Sequence, residues 1–294
     1  SMMVAQNGPG ITNFVTPVKT AYWNHTPLLL VTPQAANKTL GQGGFQEVEQ
    51  MALFKDMVAY QEEVRDPSRT AETLNRVILQ AKRASAPAQI NVPRDFWTQV
   101  IDIELPAIVE FERPSGGEDA IASAADMLSN AEFPDMLNGA GVVISGAIEA
   151  SMKLAERLDA PVCCGYQHND AFPGSHPLFA GPLGYNGSKA GMELIAKADV
   201  VLALGTRLNP FSTLPGYGID YWPKNARIIQ VDINPDRIGL TKPVTVGIVG
   251  DAKKVADSIL DKLEPKAGDA GRTTRKEVIA KIKSAWAQEL TSLD

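Results

Sequence analysis

The residues that could do chemistry are few. His25, His168 and His176 are the only histidines, and Cys163 and Cys164 the only cysteines. No histidine has a ligand partner at helical spacing, so the sequence predicts no metal site of its own. His25, two residues before Pro27, reads as a turn residue, and His176, beside Pro177, as structural. His168 sits in the polar run Gly165-Tyr-Gln-His-Asn-Asp170, after a buried-looking strand. Loops at strand ends are where α/β sheets place ligands, so His168 either faces a substrate cavity or makes structural hydrogen bonds. Adjacent cysteines make a poor structural disulfide and lack zinc-finger spacing; they read as small buried strand residues and suit a reducing cytoplasm.

Two glycine-bounded stretches add candidates. Phe45-Gln46-Glu47 follows Gly41-Gln-Gly-Gly44. Gln46 and Glu47 either form the first turn of a helix, where Glu suits the positive end of the dipole, or present an amide to a ligand. Gly139-Ala-Gly141 looks like a phosphate-binding turn before a helix. The spacing G-x-G-x-x-G fails, because Ile144 stands where the third glycine belongs and Gly146 follows instead. Nor does an acidic residue end the next strand. Dinucleotide binding, a turn needed only for packing, and a nucleotide in another pose all remain open. Arg207 and Asn209 follow Leu204-Gly205; Arg207 is placed to bind an anion or to pair with Asp232 or Asp236. No Gly-x-Ser-x-Gly elbow, P-loop or Cys/His nucleophile pair is present.

These residues need elements to position them. Short apolar runs alternate with helical stretches throughout, the pattern of parallel sheets flanked by helices. Strands are expected at Met2–Ala5, 28–32, 57–63 and 88–92, with helices from Thr12 to about Asn24, over 46–53 and over 69–84. After a linker over 101–117 come a helix at 118–130, strands at 136–139, 161–164, 200–204, 228–233 and 244–248, and helices at 147–158, 188–196 and 252–263. Residues 165–187 are expected to be loop. Asp251 is placed to cap the helix after it. A helix over 275–290 carries Val278, Ile279, Ile282 and Trp286 on one side, with no domain of its own to pack on. The fold class is therefore α/β. A partial domain at 1–100 precedes the linker, a complete Rossmann-like domain covers 118–263, and a tail runs over 264–294.

At 294 residues the chain has room for two cores. A net charge of −6, with no basic run, argues against nucleic acid. No apolar run approaches the ~18 residues that span a membrane.

Gly8-Pro-Gly-Ile-Thr-Asn13, Gly44-Phe-Gln-Glu47, Val92-Pro-Arg-Asp95, Leu204-Gly-Thr-Arg207, Val231-Asp-Ile-Asn-Pro-Asp236 and Gly250-Asp251 resemble, in order and spacing, the thiamine diphosphate enzymes of the acetolactate synthase group. Asn24-His-Thr-Pro-Leu-Leu-Leu-Val-Thr-Pro-Gln34, the 163–170 run and Asn209–Gly218 look closer to members acting on sulfoacetaldehyde and phosphate. The resemblance implies a three-domain subunit, of which this chain holds part of the pyrimidine-binding domain and the whole central domain. It implies thiamine diphosphate and Mg2+ as cofactors of the full-length enzyme. Their sites are incomplete here, because the family's proton-relay glutamate lies upstream and its metal–diphosphate motif downstream. Gly8, Pro9, Gly10 and Asn13 would bind the cofactor at its pyrimidine ring, and Phe45 and Gln46 would face the reacting carbon, with His168 a further catalytic candidate. A homodimer or homotetramer is implied, with sites between subunits. Acetolactate synthases carry a second arginine where Phe211 stands here, which speaks against a 2-keto acid substrate and makes FAD unlikely. An acetolactate synthase-like carboligase, or a central module binding a nucleotide or acyl-CoA, is the alternative.

Overall fold

The structure, a computed structural model, describes residues 1–107, 109–110, 112–263 and 270–292. The chain divides into two compact units, 1–110 and 111–294.

In the first unit, β1 (Met2–Val4), β2 (Leu28–Gln34), β3 (Tyr60–Glu63) and β4 (Pro87–Pro93) form a parallel sheet in the order β1-β2-β4-β3. Side chains alternate across a strand, so the two faces build separate cores. Leu28 and Leu30 pack with Ile11, Val18, Phe54 and Val58 on one face. Ala88 and Ile90 pack with Val77 and Ala81 on the other. The helices responsible are α1 (Pro9–Thr12), α2 (Val15–Trp23), α3 (Gln50–Phe54) and α4 (Thr70–Ala84). Two helix expectations are corrected. Thr12 does not cap a helix; its hydroxyl donates to Pro9 O, and the helix is broken into α1 and α2. The helix expected over 46–53 starts only at Gln50: Gln46 has φ 64° and Glu49 has ψ 78°, neither of which a right-handed helix accepts.

The second unit is a six-stranded parallel sheet in the order β10-β9-β8-β5-β6-β7. The strands are β5 (Pro134–Asn138), β6 (Val162–Cys164), β7 (Phe179–Pro182), β8 (Val200–Leu204), β9 (Arg227–Asp232) and β10 (Val246–Val249). β5 and β8 are buried at every position, as a sheet covered by helices on both faces requires. The helices are α5 (Glu118–Ser129), α6 (Ala140–Ile144), α7 (Ile148–Leu158), α8 (Lys189–Ile195), α9 (Ala252–Lys262) and α10 (Ala270–Thr291). β7 lies in the stretch expected to be loop. It is an edge strand, which tolerates its Gly181 and Pro182. Asp251 does cap α9, accepting from Lys253 N at 3.0 Å and Lys254 N at 3.3 Å.

Two segments read as peripheral are held on this unit. Ser115 bridges Gly250, and Arg113 pairs with Asp251 at 3.0 Å, so the end of the expected linker is docked. The C-terminal helix, expected to have no domain of its own to pack on, packs against α8 and sinks Ile279 into the core of the second unit. Arg275 donates to Glu132 O at 2.6 Å and to Leu158 O at 2.9 Å, and Glu289 pairs with Lys189 at 2.8 Å. The expected tail over 264–269 and 293–294 falls outside the described residues. Among the described residues no helix is long and apolar enough to cross a membrane.

Candidate functional site

The carboxyl ends of parallel strands carry loops rather than ladder partners, so ligand-facing groups collect there. In the first unit two such loops meet. Residues 5–8 leave β1 and lead into α1, and residues 35–49 leave β2. Gly8 has φ 72°, and a Cβ on it would lie 2.6 Å from Gln46 O and 2.8 Å from Gln46 Cβ. The turn thus needs glycine twice over, for its backbone and for the space that Gln46 fills. Asn7 Nδ2 donates to Gln46 O at 3.0 Å, and Gln6 Nε2 to Gln46 Oε1 at 2.9 Å.

Of the candidates in this unit, Gly8 and Gln46 are therefore in contact. Pro9 opens α1, where its missing N–H costs nothing, and Asn13 closes it by donating from Nδ2 to Pro9 O at 2.6 Å. Gly10 packs close to Ala5. Phe45 is 86% exposed, a large apolar ring projecting beside the Gln46 amide. Glu47 is not a helix first-turn residue. Its carboxylate turns back to accept from Gly41 N at 2.7 Å and Gly44 N at 3.2 Å, closing the glycine loop on itself. The inward partners Gln6 and Asn7 were not among the residues singled out from sequence. Only their position directly before Gly-Pro-Gly could have drawn notice.

His168 belongs to the second unit, in the loop after β6. Burial lowers its pKa, Asp170 at 4.0 Å opposes the shift, and the positive charge of Arg207 adds to it. The imidazole is thus held toward its neutral form. The loops after β6 and β8 meet here: the Tyr166 and Phe211 rings stand edge to face at 5.2 Å. Burial and then the charge of Arg237 lower the pKa of Arg207, while Asp232 opposes them. Asp232 is itself raised by burial, against the Asn234 N–H it accepts at 2.8 Å and the charges of Arg237 and Arg207.

The glycine turn after β5 lies where the strand order reverses, between β5 and β8. Backbone fills it. Gly141 N donates to Gly205 O at 2.8 Å. A Cβ on Gly139 would come within 2.6 Å of Gly205 O, and one on Gly141 within 2.6 Å of Gly205 Cα. Packing is the use of these glycines that the geometry displays.

Both cysteines are buried and unpaired, at β6. Burial pushes Cys164 up to about 12 and holds Cys163 well above its ordinary value. Such thiols are poor nucleophiles. Among the described residues no group of three or more His, Cys, Asp or Glu is arranged to hold a metal ion.

Comparison with known proteins accords with this architecture. Residues 1–53 match the profile of the thiamine pyrophosphate enzyme N-terminal TPP binding domain, and residues 121–259 that of the thiamine pyrophosphate enzyme central domain. The chain is 82% identical over 294 residues to a sulfoacetaldehyde acetyltransferase of Roseovarius nubinhibens, covering 100% of this chain and 49% of that protein. It is 70% identical to one of Rhodobacter capsulatus, covering 100% of this chain and 50% of that protein. The chain thus spans about half the length of the curated relatives it matches. The crystal structure of benzoylformate decarboxylase from Polynucleobacter necessarius shares the fold, with a TM-score of 0.78 at 22% identity over 92% of this chain and 51% of that one.

Proposed function

Because the chain belongs to the thiamine pyrophosphate enzymes, whose N-terminal and central domains it carries, we propose that it is part of a sulfoacetaldehyde acetyltransferase. The reaction converts sulfoacetaldehyde and phosphate to acetyl phosphate and sulfite. The identity to the Roseovarius sulfoacetaldehyde acetyltransferase over the whole chain supports sulfoacetaldehyde as the substrate. The observation that carries the reading is the seating of Gln46 on the Gly8 turn, which sets an amide and the exposed Phe45 ring at the carboxyl edge of the first sheet.

The residues present fit the pyrimidine side of thiamine diphosphate. Gly8 carries no Cβ and has Gln46 seated against its Cα, and the exposed Phe45 ring adds an aromatic surface beside that turn. When bound, the cofactor supplies a nucleophilic carbon and an electron sink. The chain's own part is to orient and enclose. Gly8, Pro9, Gly10 and Asn13 would hold the pyrimidine ring of the cofactor. Phe45 excludes water from the reacting carbonyl, and the Gln46 amide hydrogen-bonds oxygen there. His168, held toward neutrality, is suited to accept or relay a proton. Mg2+ belongs to the full-length enzyme in this reading. Among the described residues no group of three or more His, Cys, Asp or Glu is arranged to hold it. The full-length protein works as a homodimer or homotetramer in a reducing cytoplasm, which suits two unpaired thiols.

The test uses the polypeptide at the full length of its relatives, with thiamine diphosphate, Mg2+ and phosphate. Sulfite and acetyl phosphate should form in equal amounts from sulfoacetaldehyde. Acetolactate from pyruvate, with no sulfite from sulfoacetaldehyde, would overturn the reading.

A further inference from the structure

Gln46 adopts a backbone conformation that L side chains rarely take, with φ 64°. Such a conformation persists only where its surroundings over-determine it. Here the restraints are visible. Asn7 is 5% exposed, and its Nδ2 donates to Gln46 O at 3.0 Å. Gly8 takes the Gln46 carbonyl against its Cα, where any side chain would collide. Gln6 Nε2 meets Gln46 Oε1 at 2.9 Å. On the far side Glu47 closes the loop through Gly41 N and Gly44 N. The glycine loop is therefore closed on itself by Glu47, and anchored to the sheet edge by Asn7.

We propose that Asn7 is a positioning residue of the site, holding Gln46 in its left-handed conformation and so fixing where the Gln46 amide and the Phe45 ring project. This rests on the functional reading above. Asn7 is suited to the task because its amide donor is buried and Gln46 O is the partner it finds. A buried donor left without its acceptor is costly, so release of the tether is disfavoured. Gln6 forms an exposed contact to the side chain and adjusts the amide; Asn7 grips the main chain and sets the loop.

The test compares Asn7→Ser, too short to reach Gln46 O, with Asn7→Asp, which keeps the shape but turns an acceptor toward a carbonyl. In the full-length protein both should lower kcat by roughly tenfold or more, since small displacements of positioning groups carry losses of this order. The thiamine diphosphate concentration giving half-maximal activity should stay within about twofold, because the Gly8–Gly10 turn is intact. Hydrogen exchange of the amides in residues 41–47 should quicken while exchange in the core of the second unit does not change. In a background carrying both Phe45→Ala and Gln46→Ala, Asn7→Ser should cost little further turnover, because Asn7 acts by placing those two side chains. Wild-type exchange over 41–47 in Asn7→Ser, or a full further loss of turnover from Asn7→Ser in that background, would overturn the proposal. If the wild-type protein fails to turn over sulfoacetaldehyde, the functional reading falls, and the exchange measurement still decides the tether.

Discussion

Gly141 and Gly205 touch backbone to backbone: the Gly141 N–H donates to Gly205 O at 2.8 Å, and neither residue has room for a methyl group. This contact joins β5 to β8 at the point where the sheet reverses its order. A turn that resembles a phosphate cradle in sequence is occupied by a neighbouring strand end.

Gly141→Ala should therefore destabilise the second unit by about 1–3 kcal/mol, the cost of overpacking where only backbone could yield. Gly174→Ala is the control, because nothing lies within 4 Å of its added methyl. Urea titration of the chain reads both, and equal midpoints for the two variants would contradict the packing account.

Asp135 stands in the buried strand β5, its Oδ2 meeting the Cys163 thiol at 4.0 Å and its Oδ1 without a hydrogen-bond partner among the described residues. Burial raises its pKa well above the ordinary carboxylate value, and the thiol opposes the shift weakly. A raised folded pKa means that the acid is tolerated and its anion is not. The stability tied to this group is fully present below the unfolded value of about 3.9 and is lost as pH rises toward the folded pKa. Asp135→Val should be more stable than wild type by about 1–3 kcal/mol at neutral pH, the cost of an unsatisfied buried group. The gap should widen from pH 4 upward, as denaturant titrations across pH will show; a pH-independent gap would contradict the assignment.

The α10 helix should prove integral to the second unit. Ile279 is 2% exposed within the main core, so Ile279→Ala should cost about 2–5 kcal/mol by cavity formation. An unchanged unfolding midpoint would show that the helix does not pack as described.

Phe45 offers the converse case. At 86% exposure its replacement by alanine should leave stability within about 0.5 kcal/mol. Turnover by the full-length protein should nonetheless fall by roughly tenfold or more if the ring shields the reacting carbonyl. Thermal melts and steady-state rates on the same preparation separate the two effects.

Cys163 and Cys164 should resist a thiol reagent at pH 8 in the folded chain and react on unfolding, because burial holds both in the neutral form. Rapid labelling of the native protein would place at least one of them at the surface.

The sequence by itself determined the class of fold and most of its elements. Runs such as Val200–Leu204 and the apolar spacing of Val77 and Ala81 report burial and helical period locally, and those local signals held. It also carried the family, because Gly8-Pro-Gly10 and Phe45-Gln46 are short motifs whose residue types survive as letters. The tertiary structure alone decided what those letters touch. That Asn7 reaches Gln46, that Gly141 abuts Gly205, and that α10 folds back onto the second unit are contacts between segments distant in sequence. Periodicity is blind to them, because it records which face of an element is apolar and not which partner covers it. The left-handed backbone of Gln46 shows the limit most plainly. Glutamine has no local preference for that conformation, which exists because Asn7 and Gly8, on another loop, hold it there.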